Sequence, residues 1–226
     1  MPKRMLILTD SLGAPRIEPE LVNYDQTWVA KVKCEAQNNG YDVIAFTANG
    51  LDSANLLSEV NFKLHLYKPN VVIFQFGIVD CAPRVWSDRE KLLFRILNLH
   101  NLAARIGKNY HAPISKFRNI TAVSIADFAL NIKSINEKIR QHAPDGCTLI
   151  HVPIGPPCSA YFELSPAIGE NIIRYNKVLG ENSDRFLTDF SQLDPETIYT
   201  SDCHHLNQTG HEKLSKIVLD AMASVW

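Results

Sequence analysis

Met5-Leu6-Ile7-Leu8-Thr9-Asp10-Ser11-Leu12-Gly13 is an apolar run that stops abruptly at Asp10-Ser11 and passes into a short loop rich in small residues. A run this short, apolar on both faces, belongs to a strand covered on each side by helices rather than to an alternating antiparallel sheet. Similar runs recur at Asp42 to Phe46, Asn70 to Phe76, Thr148 to Pro153 and Arg185 to Phe190, so the pattern predicts five parallel strands. The intervening segments are helix-like and carry stop signals. Thr27 to Asn39 ends at Gly40, Ser53 to Tyr67 ends before Pro69, and Ile125 to His142 ends before Pro144. Pro166 to Asn182 and Gln208 to Val225 complete the set. Strand and helix alternate as in a three-layer α/β/α fold with right-handed crossovers.

Residues 84–121 break the alternation, with a helical stretch from Asp88 to Ile106, then Gly107 to Pro113 and a polar loop. This is an insertion after the third strand. Ligands of open parallel sheets sit outside the carboxyl ends of the strands, so the insertion is placed to cover a substrate, to form an interface, or simply to pack. With 226 residues, 46% of them hydrophobic, the chain is expected to form one domain. The charges nearly cancel, at −1, and no basic stripe interleaved with aromatics stands out, which argues against a nucleic-acid partner and for a small neutral or polar substrate. Cys34, Cys81, Cys147, Cys158 and Cys203 are scattered and odd in number, unlike a disulfide framework, and point to a reducing, cytoplasmic setting. The opening Met-Pro-Lys-Arg and the short strand after it do not make a signal-peptide core, and no run is long enough to span a membrane. Oligomeric state is left open.

Near the other end, Asp202-Cys203-His204-His205 places an Asp three residues before a His, just ahead of the last helix-like segment. A serine hydroxyl is a poor nucleophile at neutral pH and needs a base in the correct tautomer, which an Asp in the same turn can impose. Ser11, His205 and Asp202 have the order and terminal positions of a hydrolytic triad. The bland reading has Ser11 closing the loop after the first strand, Asp202 capping a turn and His205 packing under the last helix. His204 competes with its neighbour, but the spacing from Asp202 and the following Leu206-Asn207-x-x-Gly210 favour His205. Cys203, His204, His205 and His211 admit a zinc reading. Adjacent residues usually point apart, however, and no second Cys/His group has finger-like spacing, so neither metal nor cofactor is expected. Arg16 and Arg84 follow the first and third strands and form either a pocket for a carboxylate or phosphate, or structural ion pairs with acids such as Asp10 and Asp80. The neighbours of Asp10 and Asp80 favour roles in orienting loops over a glycosidase-type carboxylate pair.

Three blocks in this order resemble the SGNH/GDSL hydrolases. Asp10-Ser11-Leu12-Gly13 looks like Gly-Asp-Ser-Leu with Thr9 in place of the Gly; Gly77-Ile78-Val79-Asp80 looks like Gly-x-Asn-Asp; Asp202 to His205 is the last block. Gly77 to Arg84 is most similar to a subgroup often found with bacterial surface-polysaccharide genes. The resemblance implies a flavodoxin-like five-stranded parallel sheet, with Ser11 as nucleophile, His205 as general base and Asp202 orienting the imidazole. It also implies oxyanion donors at the Ser11 N–H, at Gly50 of the second block and at the Asn of the third. Val79 holds that last position and has no side-chain donor, so either the amides of the Gly77 loop or another side chain compensates, or the enzyme is slow or has lost activity. The implied activity is hydrolysis of a short acyl ester, acetyl foremost, of a carbohydrate through an acyl-Ser11 intermediate. Acyl transfer to a sugar hydroxyl uses the same residues. A catalytically weak binding or scaffold member of a polysaccharide assembly system is the alternative that Val79 motivates. A flavodoxin-type nucleotide binder is disfavoured by the proline and lone glycine of the first loop.

Overall fold

β1 (Lys3–Thr9) sends Met5 and Ile7 into one apolar cluster and Leu6 and Leu8 into another, as expected of a strand whose side chains alternate between two covered faces. Each of these four is essentially fully buried, a contribution of about 1.5–3 kcal/mol apiece. The computed structural model describes residues 3–143 and 146–223, the side chains of residues 61 and 62 excepted. After β1 come α1 (Trp28–Asn38), β2 (Tyr41–Thr47), α2 (Ser53–Tyr67), β3 (Val71–Gln75) and a short α3 (Ile78–Cys81). The insertion supplies α4 (Asp88–Ile96), α5 (His100–Asn109) and α6 (His111–Arg118). Then follow α7 (Ile125–His142), β4 (Thr148–Val152), α8 (Ser159–Leu164), α9 (Ile168–Glu181), β5 (Arg185–Phe186), α10 (Pro195–Ile198) and α11 (Gln208–Met222).

The five strands form one parallel sheet in the order β2-β1-β3-β4-β5. Trp28, Val29 and Val32 of α1 and Leu214, Val218 and Met222 of α11 cover the Met5–Ile7 face. α2, α7 and α9 cover the other through Leu56, Phe128, Ile132 and Tyr175. Side-chain caps start the principal helices: Thr27 accepts from Ala30 N–H, Asp52 from Asn55 N–H and Ser124 from Asp127 N–H. The strand order reverses at β1, between β2 and β3, and the crevice at the carboxyl ends of β1 and β3 is the place where such sheets hold ligands. Asp10 N–H donates to Gln75 O at 3.0 Å and ties the two strand exits together.

Two expectations need correction, and one lies partly outside the described residues. The fifth strand pairs only through Arg185 and Phe186. Beyond Leu187 the chain winds into a 3-10 turn that buries Phe190, because an edge strand gains more from that side chain in the core than from further pairing on one side. In the insertion, the single helix expected from Asp88 to Ile106 breaks at Asn98, whose φ of 56° is left-handed. The stretch read as loop from Gly107 onward is the end of α5 followed by α6. Trp86 organises that region: its Nε1 donates to Ala103 O at 3.0 Å, and a Cβ at Gly107 would lie 3.3 Å from the same nitrogen. The last helix is described to Met222, so its expected end at Val225 lies outside the described residues, as does Pro144.

Candidate active site

β1 ends in a buried polar cage. Asp10, fully enclosed, accepts from Leu12 N–H at 2.9 Å and from Gln75 Nε2 at 3.1 Å, while the Thr9 hydroxyl donates to Gln75 Oε1. The Asp10–Leu12 bond caps a 3-10 turn over Ser11–Gly13, which leaves Ser11 half-buried at the strand tip. Gly13 is required at the close of that turn, since a Cβ there would collide with the Thr9 side chain. Burial pushes the Asp10 carboxyl up to about 7 against the opposing hydrogen bonds from Leu12 and Gln75, and its Oδ2 has no partner among the described residues. Asp80 plays a similar part after β3. Burial raises it to about 6, and it accepts Ser53 N–H at 2.9 Å, joining the β3 exit to the start of α2.

At the other terminus, Tyr199 pairs antiparallel with Leu206, and Thr200 N–H donates to His205 O at 2.7 Å, closing a tight loop just before α11. Asp202 sits inside it. Oδ1 accepts the Thr200 hydroxyl at 2.9 Å, His205 N–H at 3.0 Å and His204 N–H at 3.2 Å. Oδ2 lies 2.7 Å from His205 Nδ1, and His205 Nε2 lies 3.0 Å from Ser11 Oγ. Residues 194 positions apart thus form one hydrogen-bonded chain. A carboxylate facing Nδ1 holds the imidazole proton there and leaves the Nε2 lone pair to accept from Ser11. Burial alone would raise the Asp202 carboxyl, but the bonds from His205, His204 and Thr200 hold it well below the usual carboxylate range. Burial lowers His205 against the opposing pull of Asp202, so the ring is neutral at neutral pH.

The remaining expected site residues are more dispersed. Arg16 lies 3.8 Å from Asp202 and so stands at the triad carboxylate, whereas Arg84 pairs with Asp88 at 3.5 Å and lines a separate cleft with Trp86, Lys91 and Lys108. Neither pairs with Asp10 or Asp80 among the described residues. Gly77 takes a left-handed φ of 118° at the start of α3, where a Cβ would press on Ile154. Gly50, with φ 70°, is exposed on the rim of a cleft of about 380 Å³ beside Phe46 and Leu51. The N–H groups of Ser11, Gly50 and Gly77 have no hydrogen-bond partner among the described residues. Val79 is half-buried on α3.

The cysteine reading is corrected. Cys158 and Cys203 form a disulfide, Cα to Cα 5.3 Å, that fastens the loop carrying Asp202 and His205 to the segment entering α8. The cysteine count therefore no longer argues for a reducing compartment. The zinc reading loses two of its four ligands: the Cys203 sulfur is in the disulfide, and His211 Nδ1 accepts Trp28 N–H at 3.2 Å beneath α1. Ligand atoms of Asp202, His204 and His205 come within 4.8 Å of one another, with both imidazole Nδ1 atoms engaged by Asp202, that of His204 at the backbone carbonyl, 2.8 Å away. Sequence reasoning passed over Thr200, which donates to Asp202, over Gln75, which holds the Asp10 that caps the Ser11 turn, and over Tyr161, whose ring lies 5.7 Å from that of His204. A Thr two residues before an Asp carries no local signal of this kind.

No family model and no curated protein matches the chain. Solved structures do. A lipase/acylhydrolase from Enterococcus faecalis aligns with TM-score 0.65 at 16% identity over 97% of this chain and 95% of that one. A catalytic mutant of an acetylxylan esterase from Geobacillus stearothermophilus gives 0.63 at 17% identity, over 96% and 93%. A carbohydrate acetylesterase family member from Sinorhizobium meliloti gives 0.61 at 15% identity, over 97% of each chain. The shared property is the fold, the three-layer α/β sandwich that the sequence blocks imply.

Proposed function

We propose that the protein is an SGNH/GDSL-type esterase that hydrolyses short acyl esters, acetyl foremost, of a carbohydrate. The observation that carries this reading is the hydrogen-bonded chain Ser11–His205–Asp202, with distances of 3.0 and 2.7 Å, at the edge of the sheet where ligands gather. Ser11 Oγ attacks the ester carbonyl as His205 Nε2 takes its proton, and Asp202 steadies the imidazolium that forms. The free N–H groups of Ser11 and Gly77 are the donors for the developing oxyanion, with Gly50 as a third on the adjoining strand exit. His205 then returns the proton to the departing alcohol, and a water molecule, deprotonated by the same nitrogen, releases the acyl group. The acetyl-carbohydrate assignment draws support from the same fold in an acetylxylan esterase and a carbohydrate acetylesterase family member.

Val79 favours a second reading, a weak catalyst that serves to bind, because one missing oxyanion donor costs about 3–4 kcal/mol of transition-state stabilisation. Fluorophosphonate labelling with peptide mapping, on the wild type and on Ser11→Ala and His205→Ala, separates the two. Labelling at Ser11 that requires His205 supports the esterase; a folded protein that takes no label refutes it.

A further inference from the structure

The near-neutral total of the chain hides a sharp asymmetry. Residues 84–121 carry eight lysines and arginines against two carboxylates, so the rest of the chain is acidic. Asp88 and Glu90 are engaged by Arg84, Lys91 and Arg118. Arg89, Arg95, Arg105, Lys108 and Lys116 are exposed and have no carboxylate partner among the described residues.

α4 is also amphipathic the wrong way round. Glu90 and Phe94, one turn apart, face the protein, where Phe94 packs on Trp86 with ring centroids 5.0 Å apart. Helical spacing sends Leu92, Leu93 and Ile96 to the opposite arc, where they are 57%, 51% and 71% exposed, with Arg89 among them. On α6, Phe117 is 91% exposed between Lys116 and Arg118. Several aliphatic side chains bared on one helix are more informative than scattered ones, and here they share a segment with five cations that have no carboxylate partner among the described residues.

We propose that this face docks on an anionic lipid bilayer, with Leu92, Leu93, Ile96 and Phe117 entering the headgroup boundary and the surrounding cations held against lipid phosphates. A short basic helix with a bared apolar arc suits a bilayer surface, on which it lies without crossing. Two-fold pairing of the face with a second copy would bring two strongly cationic surfaces together, which charge disfavours. The placement also bears on the site. α6 joins α8 through His111 Nδ1, 2.9 Å from Leu164 O, and α8 places Tyr161 beside His204. The basic insertion and the loop carrying Asp202 and His205 are thus joined by contacts through α8. The inference does not depend on Ser11 being a nucleophile.

Vesicle co-sedimentation of the full chain tests it, with phosphatidylglycerol-containing vesicles compared with pure phosphatidylcholine. Binding is expected to the anionic vesicles and to fall with added salt, as the Debye length shrinks from about 10 Å at 0.1 M to about 3 Å at 1 M. Each of Arg95→Glu, Arg105→Glu and Lys108→Glu is expected to weaken binding by about fivefold or more. Leu93→Ser with Ile96→Ser is expected to weaken it at least about tenfold while hydrolysis of a soluble ester is unchanged. Equal affinity for neutral vesicles, or undiminished binding by the serine double variant, overturns the proposal. So does a wild-type dimer in solution that becomes a monomer in that variant, which would make the face an interface between copies.

Discussion

Asp202→Asn tests the triad most directly. In the wild type, Oδ1 collects three donors at 2.9–3.2 Å and Oδ2 faces His205 Nδ1 at 2.7 Å, so every bond at this carboxylate is accepted and none donated. An asparagine offers one acceptor and one donor. If its oxygen keeps the Thr200, His204 and His205 donors, its NH2 meets Nδ1, which must then accept, and the imidazole proton moves to Nε2. Ser11 then faces a donor where it needs a base. The reverse orientation sets an NH2 against three donors and forfeits bonds worth roughly 1–3 kcal/mol each, so the first prevails. With the imidazole in the wrong tautomer, kcat is expected to fall about 10⁴-fold, or about 5.5 kcal/mol of barrier, with KM little changed. Steady-state hydrolysis of p-nitrophenyl acetate, beside a circular-dichroism check of the fold, measures this. Thr200→Val removes one of the three donors at Oδ1 and is expected to cost about tenfold at most. A loss under about tenfold in Asp202→Asn, or a loss confined to KM, would refute the role given to Asp202.

Because burial lowers His205, the acid limb of kcat/KM is expected to have its midpoint below 6.5, and a midpoint above that value contradicts a neutral buried base. Cys203→Ser opens a link spanning 45 residues and is expected to cost about 4 kcal/mol of stability, read by urea denaturation; reductant should lower the wild type to match, and a wild type indifferent to reductant refutes the pairing. His211 is pulled down to about 4 by burial, aided by Lys31 and Arg16, while accepting Trp28 N–H. Its folded pKa lies below its unfolded value, so it contributes stability near neutrality that is lost as pH falls from about 6.5 toward 4, about 3 kcal/mol in all. His211→Gln should remove that part of the slope, and an unchanged slope would exclude the residue. Gly210→Ala drives a Cβ into the Ile198 carbonyl and is expected to cost about 1–3 kcal/mol, measured as a fall in Tm.

The sheet was legible because its signals are local. Both faces of β1 are covered, so Met5 to Leu8 read as an unbroken apolar run, and α2 and α7 are bracketed in the chain by the Asp52 and Ser124 caps ahead of them and by Pro69 and Pro144 after them. The insertion was half legible. Its helical character shows in composition, but no local pattern places the break at Asn98 or docks Trp86 against α5, where helix persists past Gly107. β5 was overread because an edge strand and a buried 3-10 turn share the same apolar spelling, and only the competition for Phe190 decides between them. Ser11, Asp202 and His205 were each visible as candidates from residue type and spacing. The Asp202–His205 contact lies within one turn, so the sequence by itself determined that pair, together with the strand and helix order that places Ser11 at the tip of β1. Tertiary structure alone decided that Ser11 meets His205 across 194 residues, that Cys158 finds Cys203, that Arg16 stands at Asp202 while Arg84 turns to Asp88, and that the aliphatic face of α4 points outward. The division is physical: capping, periodicity and a one-turn hydrogen bond are settled by neighbours in the chain, whereas these contacts depend on which surfaces the packed layers bring together.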